Sequence, residues 1–318
     1  MADITVVVPF LDAIGYLRET APTIVDAARH HGVVEVIYVD NGSRDGSTEF
    51  LTALAPDIVR VVPCEGATIS AMRNTGARAG NGTFLSFLDA DCAIAPGYFE
   101  AAVLAIASSH ADATGCEYAL PPHPHWVERT LHALHYVARE RDVQSINAGN
   151  FFIARRAFDD VAGFREDIAT DEDADICRRL VLSGHRIREN PAVSARHLGN
   201  PKSLRAHYRR TVWHALGMFA NVTARRMDKP TAMMLLHTAL SVVGVLALFV
   251  SAVGLRMRLA TAIVLQFVVP AITVAFRARQ THRIPPLPAS LALYWVYYWA
   301  RVHALILILL GRKDAYRK

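Results

Sequence analysis

The sequence predicts an α/β fold, a mostly parallel sheet flanked by helices, followed by apolar helices. Three observations carry that prediction. Short β-branched runs alternate with helical patterns through residues 1–200. Those runs are continuously apolar, as strands covered on both faces are. Charge is also divided along the chain. Residues 1–200 carry 17 Lys and Arg against 27 Asp and Glu, whereas residues 201–318 carry 17 against only Asp228 and Asp314. A basic half suits nucleic acid or a membrane surface, and its long uncharged runs select the membrane and exclude nucleic acid.

Ile4–Val8 reads as a buried strand ending at Pro9, and Gly15–His30 as a helix with Leu17, Ile24 and Ala28 on one face. Val34–Val39 is the next strand. Ile58–Val62, Thr83–Leu88 and Ala113–Ala119 follow as strands, with helices between them, one over Ile69–Ala79. The chain opens directly on Ile4-Thr5-Val6-Val7-Val8 without a leader pattern. The expectation is therefore a cytoplasmic catalytic half on the inner membrane. Cys64, Cys92, Cys116 and Cys177 show no metal-ligand spacing and read as reduced thiols.

Carboxylates gather at strand ends, where open α/β sheets bind ligands. Asp40 closes a strand and opens the turn Asp40-Asn41-Gly42-Ser43, which a turn followed by a helix N-cap also explains. Asp89-Ala90-Asp91 follows the uncharged Phe84–Leu88. Two acids there repel unless a cation or donors neutralise them, and a surface turn is the alternative. Thr170-Asp171-Glu172-Asp173 has capping-box spacing, with Thr170 as N-cap and Asp173 at N3. Capping needs one or two acids. Asp167, Asp171, Glu172, Asp173 and Asp175 exceed that need, and an acid there could take a proton from a hydroxyl.

Taken in order, several segments resemble the family 2 inverting glycosyltransferases of GT-A fold. They are Val6-Val7-Val8-Pro9, Val39-Asp40-Asn41-Gly42-Ser43-Arg44-Asp45-Gly46-Ser47, Met72-Arg73-Asn74-Thr75-Gly76 and Phe87-Leu88-Asp89-Ala90-Asp91. Asn147-Ala148-Gly149-Asn150-Phe151, Gly163-Phe164-Arg165-Glu166 and Glu172-Asp173-Ala174-Asp175-Ile176 complete the set. The resemblance implies a Rossmann-type sheet and a nucleotide-sugar donor. It places Pro9, Asp40, Asn41, Arg73, Asp89 and Asp91 in the donor pocket. It implies Mg²⁺ or Mn²⁺ on Asp91, Asp89 and His197, with Asp173 as general base supported by Glu172. Asn150, Asp175, Arg209 and Trp213 fall on the acceptor side. Two departures stand out. Asp12-Ala13 replaces the usual Asn-Glu after the first strand, and no Gln-x-x-Arg-Trp follows residue 197. Arg209-Arg210-Thr211-Val212-Trp213 only echoes that motif, which favours transfer of a single sugar over polymerisation.

The expected organisation is a catalytic domain over 1–200, a basic amphipathic interfacial helix over 201–229, and a membrane domain over 230–318. Residues 230–255 run 26 positions without a charge and residues 259–276 run 18. Apolar helices are expected near 231–254, 259–276 and 290–310. A central Arg301 costs about 2.5–3.5 kcal/mol on insertion scales. With the basic tail, it favours two full spans and a third embedded or re-entrant helix. An active site at a bilayer surface implies a lipid or other amphiphilic hydroxyl acceptor. The alternatives are a non-catalytic binding domain and a sugar-phosphate nucleotidyltransferase. The latter wants a Gly-rich basic loop after the first strand, where Pro9-Phe10-Leu11-Asp12 stands.

Overall fold

The computed structural model describes residues 3–32, 34–137, 139–168, 170–220 (backbone only for 217–220), 229–250 and 254–312. It divides into two compact units, Met1–Pro121 with Val137–Gly199, and Pro122–Tyr136 with Asn200–Lys318.

The first unit holds an eight-stranded sheet. Its strands are β1 (Ile4–Phe10), β2 (Val34–Asp40), β3 (Val59–Pro63), β4 (Phe84–Leu88), β6 (Ala113–Gly115), β7 (Arg141–Asp142), β8 (Asn150–Ala154) and β9 (Ile187–Glu189). Their order is β3-β2-β1-β4-β8-β6-β9-β7. The pairs β1–β2, β1–β4, β2–β3 and β6–β9 are parallel, while β8 runs antiparallel between β4 and β6. A separate two-stranded ladder joins β5 (Cys92–Ile94) to β10 (Ala195–His197). The helices of this unit are α1 (Ile14–His31), α2 (Ser47–Leu54), α3 (Ile69–Ala79), α4 (Tyr98–Ser109), α6 (Arg155–Asp160) and α7 (Glu172–Leu182).

Strand periodicity sorts the core. Val6, Val8 and Tyr38 point into one cluster with Leu17 and Ile24 of α1 and Phe99 of α4. Val7, Ile37 and Val39 point the other way, against Met72, Phe158 and Ile176 of α3, α6 and α7. Burying both faces explains the continuously apolar strands. Pro9 has no N–H, and it lies beyond the β1–β4 ladder, which ends at Val7↔Phe87.

The expected α3 is observed residue for residue, and α1 extends one residue at each end. The strand expected over Ala113–Ala119 is only Ala113–Gly115. Strands β5, β7, β8 and β9 were not expected. Two to five residues carry too little periodicity, and pairing with distant strands holds them.

One expectation is corrected here. Asn150 does not face an acceptor. It is fully buried, its Oδ1 accepts from the Tyr98 hydroxyl at 2.7 Å, and its Nδ2 donates to the carbonyls of Cys116 and Val193 at 2.9 Å each. It ties β8 to α4 and to the loops before β10.

The second unit contains α5 (Trp126–His135), α8 (Leu204–Ala220), α9 (Lys229–Ala247), α10 (Leu255–Thr281) and α11 (Leu287–Leu309). No local signal separates α5 from the first 200 residues. Its partners, such as Val274 and Leu293 around Val127 and Leu134, lie far along the chain. On α8, Arg205, Arg209 and Trp213 share an exposed stripe at four-residue spacing, while Val212, Ala215 and Leu216 are buried. The part of the expected interfacial helix over 221–228 lies outside the described residues.

Helices α9, α10 and α11 are each long and apolar enough to cross a membrane. Outward residues such as Leu246, Ile263 and Val264 are exposed. The Arg258 guanidinium donates to the Leu248 carbonyl at 2.7 Å and so covers the end of α9. The structure removes one argument for a re-entrant third segment. Such a path needs a turn inside it, and α11 is one uninterrupted 23-residue helix. Arg301 is buried in its packing and donates to the Tyr297 hydroxyl at 3.3 Å and to Thr231 Oγ1 at 3.1 Å.

Truncating Asn150 would strand one hydroxyl donor and two buried carbonyls. Asn150→Ala should therefore destabilise the protein by at least about 2–3 kcal/mol. A thermal or denaturant unfolding curve in detergent, set against wild type, measures that loss.

Candidate functional site

The carboxyl ends of β1, β2 and β4 open on one side of the sheet, and the acidic residues stand there. A cleft of about 270 Å³ lies between Pro9, Phe10, Tyr16, Asp89 and Asp91. The backbone of the Asp89-Ala90-Asp91 turn is held from three directions. Asp89 N donates to the Gly149 carbonyl, Leu198 N donates to the Asp91 carbonyl, and Thr20 Oγ1 of α1 donates to the Ala90 carbonyl at 2.7 Å.

The side chains divide their partners. Arg73 is buried on α3, donating from Nη2 to Asp89 Oδ1 at 3.0 Å and from Nη1 to Glu172 Oε1 at 2.7 Å. Its guanidinium lies over the Phe164 ring at 5.5 Å. Asp89 Oδ2 faces the Tyr118 hydroxyl at 3.4 Å, and that hydroxyl donates to Asn147 Oδ1 at 2.8 Å. Asp91 Oδ1 is 3.3 Å from His197 Nε2, and the His197 ring packs on Tyr118 at 4.5 Å. One guanidinium thus faces Asp89 and Glu172, with Asp91 and Asp173 adding further acid.

Two glycines make room for this arrangement. A Cβ on Gly149 would sit 2.0 Å from Asp89 Oδ2, and one on Gly199 would sit 1.9 Å from Asp91 Oδ2. Both contacts are far inside van der Waals distance, so the carboxylates occupy the space of missing side chains.

Helix α7 begins differently from the capping-box expectation. Its N-cap is Asp171, in the left-handed region at φ 68°, with no side-chain cap bond. Glu172 and Asp173 are therefore the first two helical residues. The Asp173 carboxyl accepts from the Ala174 amide at 2.7 Å. Burial, then the neighbouring Glu172 charge, push it up to about 6. A carboxyl at that value accepts a proton near neutral pH more readily than an ordinary aspartate. Asp175 is turned into the protein and ion-paired to Arg178 at 3.3 Å and Arg179 at 2.7 Å, which commits it to holding α7.

Asp40 and Asn41 shape the loop after β2, beside Phe10. Asp40 Oδ1 accepts from the Gly42 and Ser43 amides at 3.1 and 2.8 Å, and Oδ2 accepts from Thr48 at 2.7 Å. Partial burial raises the Asp40 carboxyl, but these donors outweigh it and leave it below the usual carboxylate range. Asn41 exchanges two hydrogen bonds with the backbone of Ala67. The departure at Asp12 has its own role, since Asp12 Oδ1 accepts from Arg44 N at 2.8 Å, and Asp45 Oδ2 accepts from Ile14 N at the start of α1. Asn74 clamps the Gly163-Phe164-Arg165-Glu166 loop, bonding both backbone groups of Phe164 and the Glu166 carboxylate. Arg209 and Trp213 belong to the second unit.

Sequence reasoning missed Tyr16, Tyr118 and Gly199. Tyr118 has no neighbouring motif, and Asn147 and Gly149, which complete its surroundings, lay in a segment quoted only for its likeness.

Family models match across this arrangement. "Glycosyl transferase family 2" matches residues 5–161, and "Glycosyl transferase family group 2" matches residues 84–310. The chain belongs to glycosyl transferase family 2. Among curated relatives, glycosyltransferase AglE of Haloferax volcanii is 23% identical over 195 residues, 58% of this chain and 63% of that protein. Glycosyltransferase GlyA of Streptococcus pneumoniae is 32% identical over 111 residues, 34% of this chain and 16% of that protein. The chain thus spans less than two thirds of these relatives. Among solved structures, mannosyltransferase PcManGT from Pyrobaculum calidifontis, in complex with GDP-Man and Mn²⁺, superposes with a TM-score of 0.60. It is 19% identical, over 98% of this chain and 90% of that one, a likeness of fold. The family 2 fold, a mostly parallel α/β sheet of GT-A type, is thereby established for this chain.

The residues fit a hard divalent cation. Asp91, His197 and Cys92 bring one ligand atom each within 4.8 Å of one another. Burial, then the charges of Asp89 and Asp91, push the Cys92 thiol well up, and the carboxylate and imidazole are the donors a hard cation prefers. Gly199→Ala should displace the Asp91 carboxylate while α1 and β5 stay folded. The expected result is Mn²⁺ binding weakened by about tenfold or more in isothermal titration, with the unfolding temperature little changed.

Proposed function

We propose that this protein transfers one sugar from a UDP- or GDP-sugar to a hydroxyl of a lipid or other membrane-associated acceptor, with inversion at the anomeric carbon. The observation that carries this reading is the Arg73 bridge. It joins the Asp89-Ala90-Asp91 turn, suited to a diphosphate, to the Glu172-Asp173 pair, suited to a proton.

In this reading the nucleotide lies in the cleft beside Pro9, with its base toward the Asp40–Asn41 loop. Asp91, Asp89 and His197 would hold Mg²⁺ or Mn²⁺, which when bound neutralises the diphosphate leaving group. PcManGT, with GDP-Man and Mn²⁺ bound, supports a nucleotide-sugar donor and a divalent ion. Asp173 takes the proton from the acceptor hydroxyl as its oxygen bonds to the anomeric carbon and the nucleoside diphosphate departs. One displacement inverts the configuration, and a second carboxylate nucleophile is not needed. Arg73 neutralises Glu172, so that Asp173 keeps the proton-accepting role.

The membrane part of the proposal rests on α9, α10 and α11 and on the basic stripe of Arg205 and Arg209 with Trp213. It places the catalytic unit on the cytoplasmic face of the inner membrane.

Three measurements test the reading. Asp91→Asn should abolish divalent-ion-dependent release of nucleoside diphosphate from the donor while leaving the unfolding curve intact; full turnover of that variant in EDTA defeats the metal assignment. Asp173→Asn should lower transfer by roughly 10²–10⁴-fold. Asn also tolerates a helix start, so a purely structural Asp173 predicts little loss.

The acidic limb of the kcat/KM profile should lie near pH 6, because Asp173 must be ionised to act and is pushed up to about 6. Glu172→Gln removes a charge that raises Asp173, so the limb should shift to lower pH. A limb that stays in place removes Asp173 as the titrating base.

A further inference from the structure

The second unit holds a group of basic side chains that the transfer chemistry does not use. His207 of α8 is buried, and its Nε2 has no hydrogen-bond partner among the described residues. His135 of α5 is exposed, and its Nε2 lies 3.4 Å from the Tyr294 hydroxyl of α11. Arg277, in the last turns of α10, is close enough to act on both Tyr294 and His135. Arg283, just past α10, acts in the same way on His132 of α5. Four helices thus bring cationic or protonatable groups to one place.

Nothing among the described residues of this unit balances them. Its one described carboxylate, Glu128, is buried and accepts from the His125 amide at the start of α5. Desolvation by the surrounding helices, then the charges of Arg277 and His207, push His135 down to about 4. Partial burial and Arg283 push His132 down as well. These imidazoles stay neutral beside two fixed guanidinium charges, which is the state an anion would relieve.

The position of the cluster narrows the anion. Arg277 is the first charge after the uncharged run 259–276, at the junction of apolar helix and polar connection. If α10 spans a bilayer, that junction is the depth of lipid headgroups. A phosphate offers several acceptor oxygens to two guanidinium forks and a phenol, and its charge favours a second proton on the imidazoles, whereas an alcohol offers one oxygen and no charge.

We propose that Arg277, Arg283, His132, His135, His207 and Tyr294 form a binding site for the phosphate group of a lipid. The site rests on the reading of the second unit as membrane-embedded, and it deepens the acceptor side of that reading by giving the amphiphile a phosphate.

The test uses the full chain in detergent, without donor, and three probes: farnesyl phosphate, farnesol and inorganic phosphate. Titration calorimetry or native mass spectrometry reads binding. Farnesyl phosphate should bind at least about tenfold more tightly than either of the others, since each contributes only part of the contact. The double variant Arg277→Gln, Arg283→Gln should lose about tenfold or more, while Arg277→Lys, which keeps the charge, should retain most of the affinity. If the double variant fails to fold by its melting curve, the exposed Arg283→Glu decides, and it must weaken farnesyl phosphate binding.

Equal binding of farnesol shows an apolar groove and overturns the proposal. Inorganic phosphate binding as tightly shows a free-anion site and overturns the lipid assignment. Affinity unchanged in the variants removes these residues from any site. The assay is repeated on Asp173→Asn protein: retained lipid-phosphate binding with transfer lost supports both proposals, and undiminished transfer with binding retained defeats only the catalytic one.

Discussion

The buried guanidinium of Arg73 is the interaction on which the rest of the catalytic unit depends. It is almost fully enclosed and pairs with Asp89 at the end of β4 and with Glu172 at the start of α7. A buried charge without partners is strongly unfavourable, so this pairing constrains three elements at once. It fixes the strand end, the helix start and the face of α3 between them. The neighbouring Asn74 ties the same helix to the loop that precedes α7. Two adjacent residues of one motif therefore set the distance between the Asp89-Ala90-Asp91 turn and the Glu172-Asp173 pair.

Electrostatics then separate the roles of similar groups. Four carboxylates stand near one another, each in a different environment. Asp89 is satisfied by Arg73 on one oxygen. Asp91 stands beside His197. Glu172 shares the guanidinium. Asp173 has an amide donor and an acidic neighbour, and burial and that neighbour push it up to about 6. Environment rather than residue type distinguishes a candidate base from candidate ligands. Asp175, one turn further in, belongs to the ion pairs that hold the helix.

The second unit meets a different constraint. Its long helices are apolar outward and carry their polar groups inward. Gln266 accepts from the indoles of Trp295 and Trp299, Thr273 meets Tyr298, and Arg301 is covered by Tyr297 and Thr231. Polar groups in such helices must find partners within the bundle. Arg301 argues against a crossing when read as a bare charge, and much less so once its donors are paired.

The sequence alone determined the alternating strand–helix order, the two-sided burial of β1 and β2, helix α3 and the acidic strand ends. Each of these is a local signal, a period or a residue type within a few positions. It also determined the apolar, basic character of residues 201–318, because composition survives without coordinates. Tertiary structure alone decided which of the singled-out residues share a site. Asn150 matched a motif, yet long-range packing against Tyr98, Cys116 and Val193 enclosed it. Tyr118 and Gly199 matched nothing, yet the fold places them against the two aspartates. The place of α5 and the antiparallel insertion of β8 were decided in the same way, by partners distant in sequence. Local pattern specifies an element and its buried face, whereas proximity between elements is fixed only when the whole chain has packed.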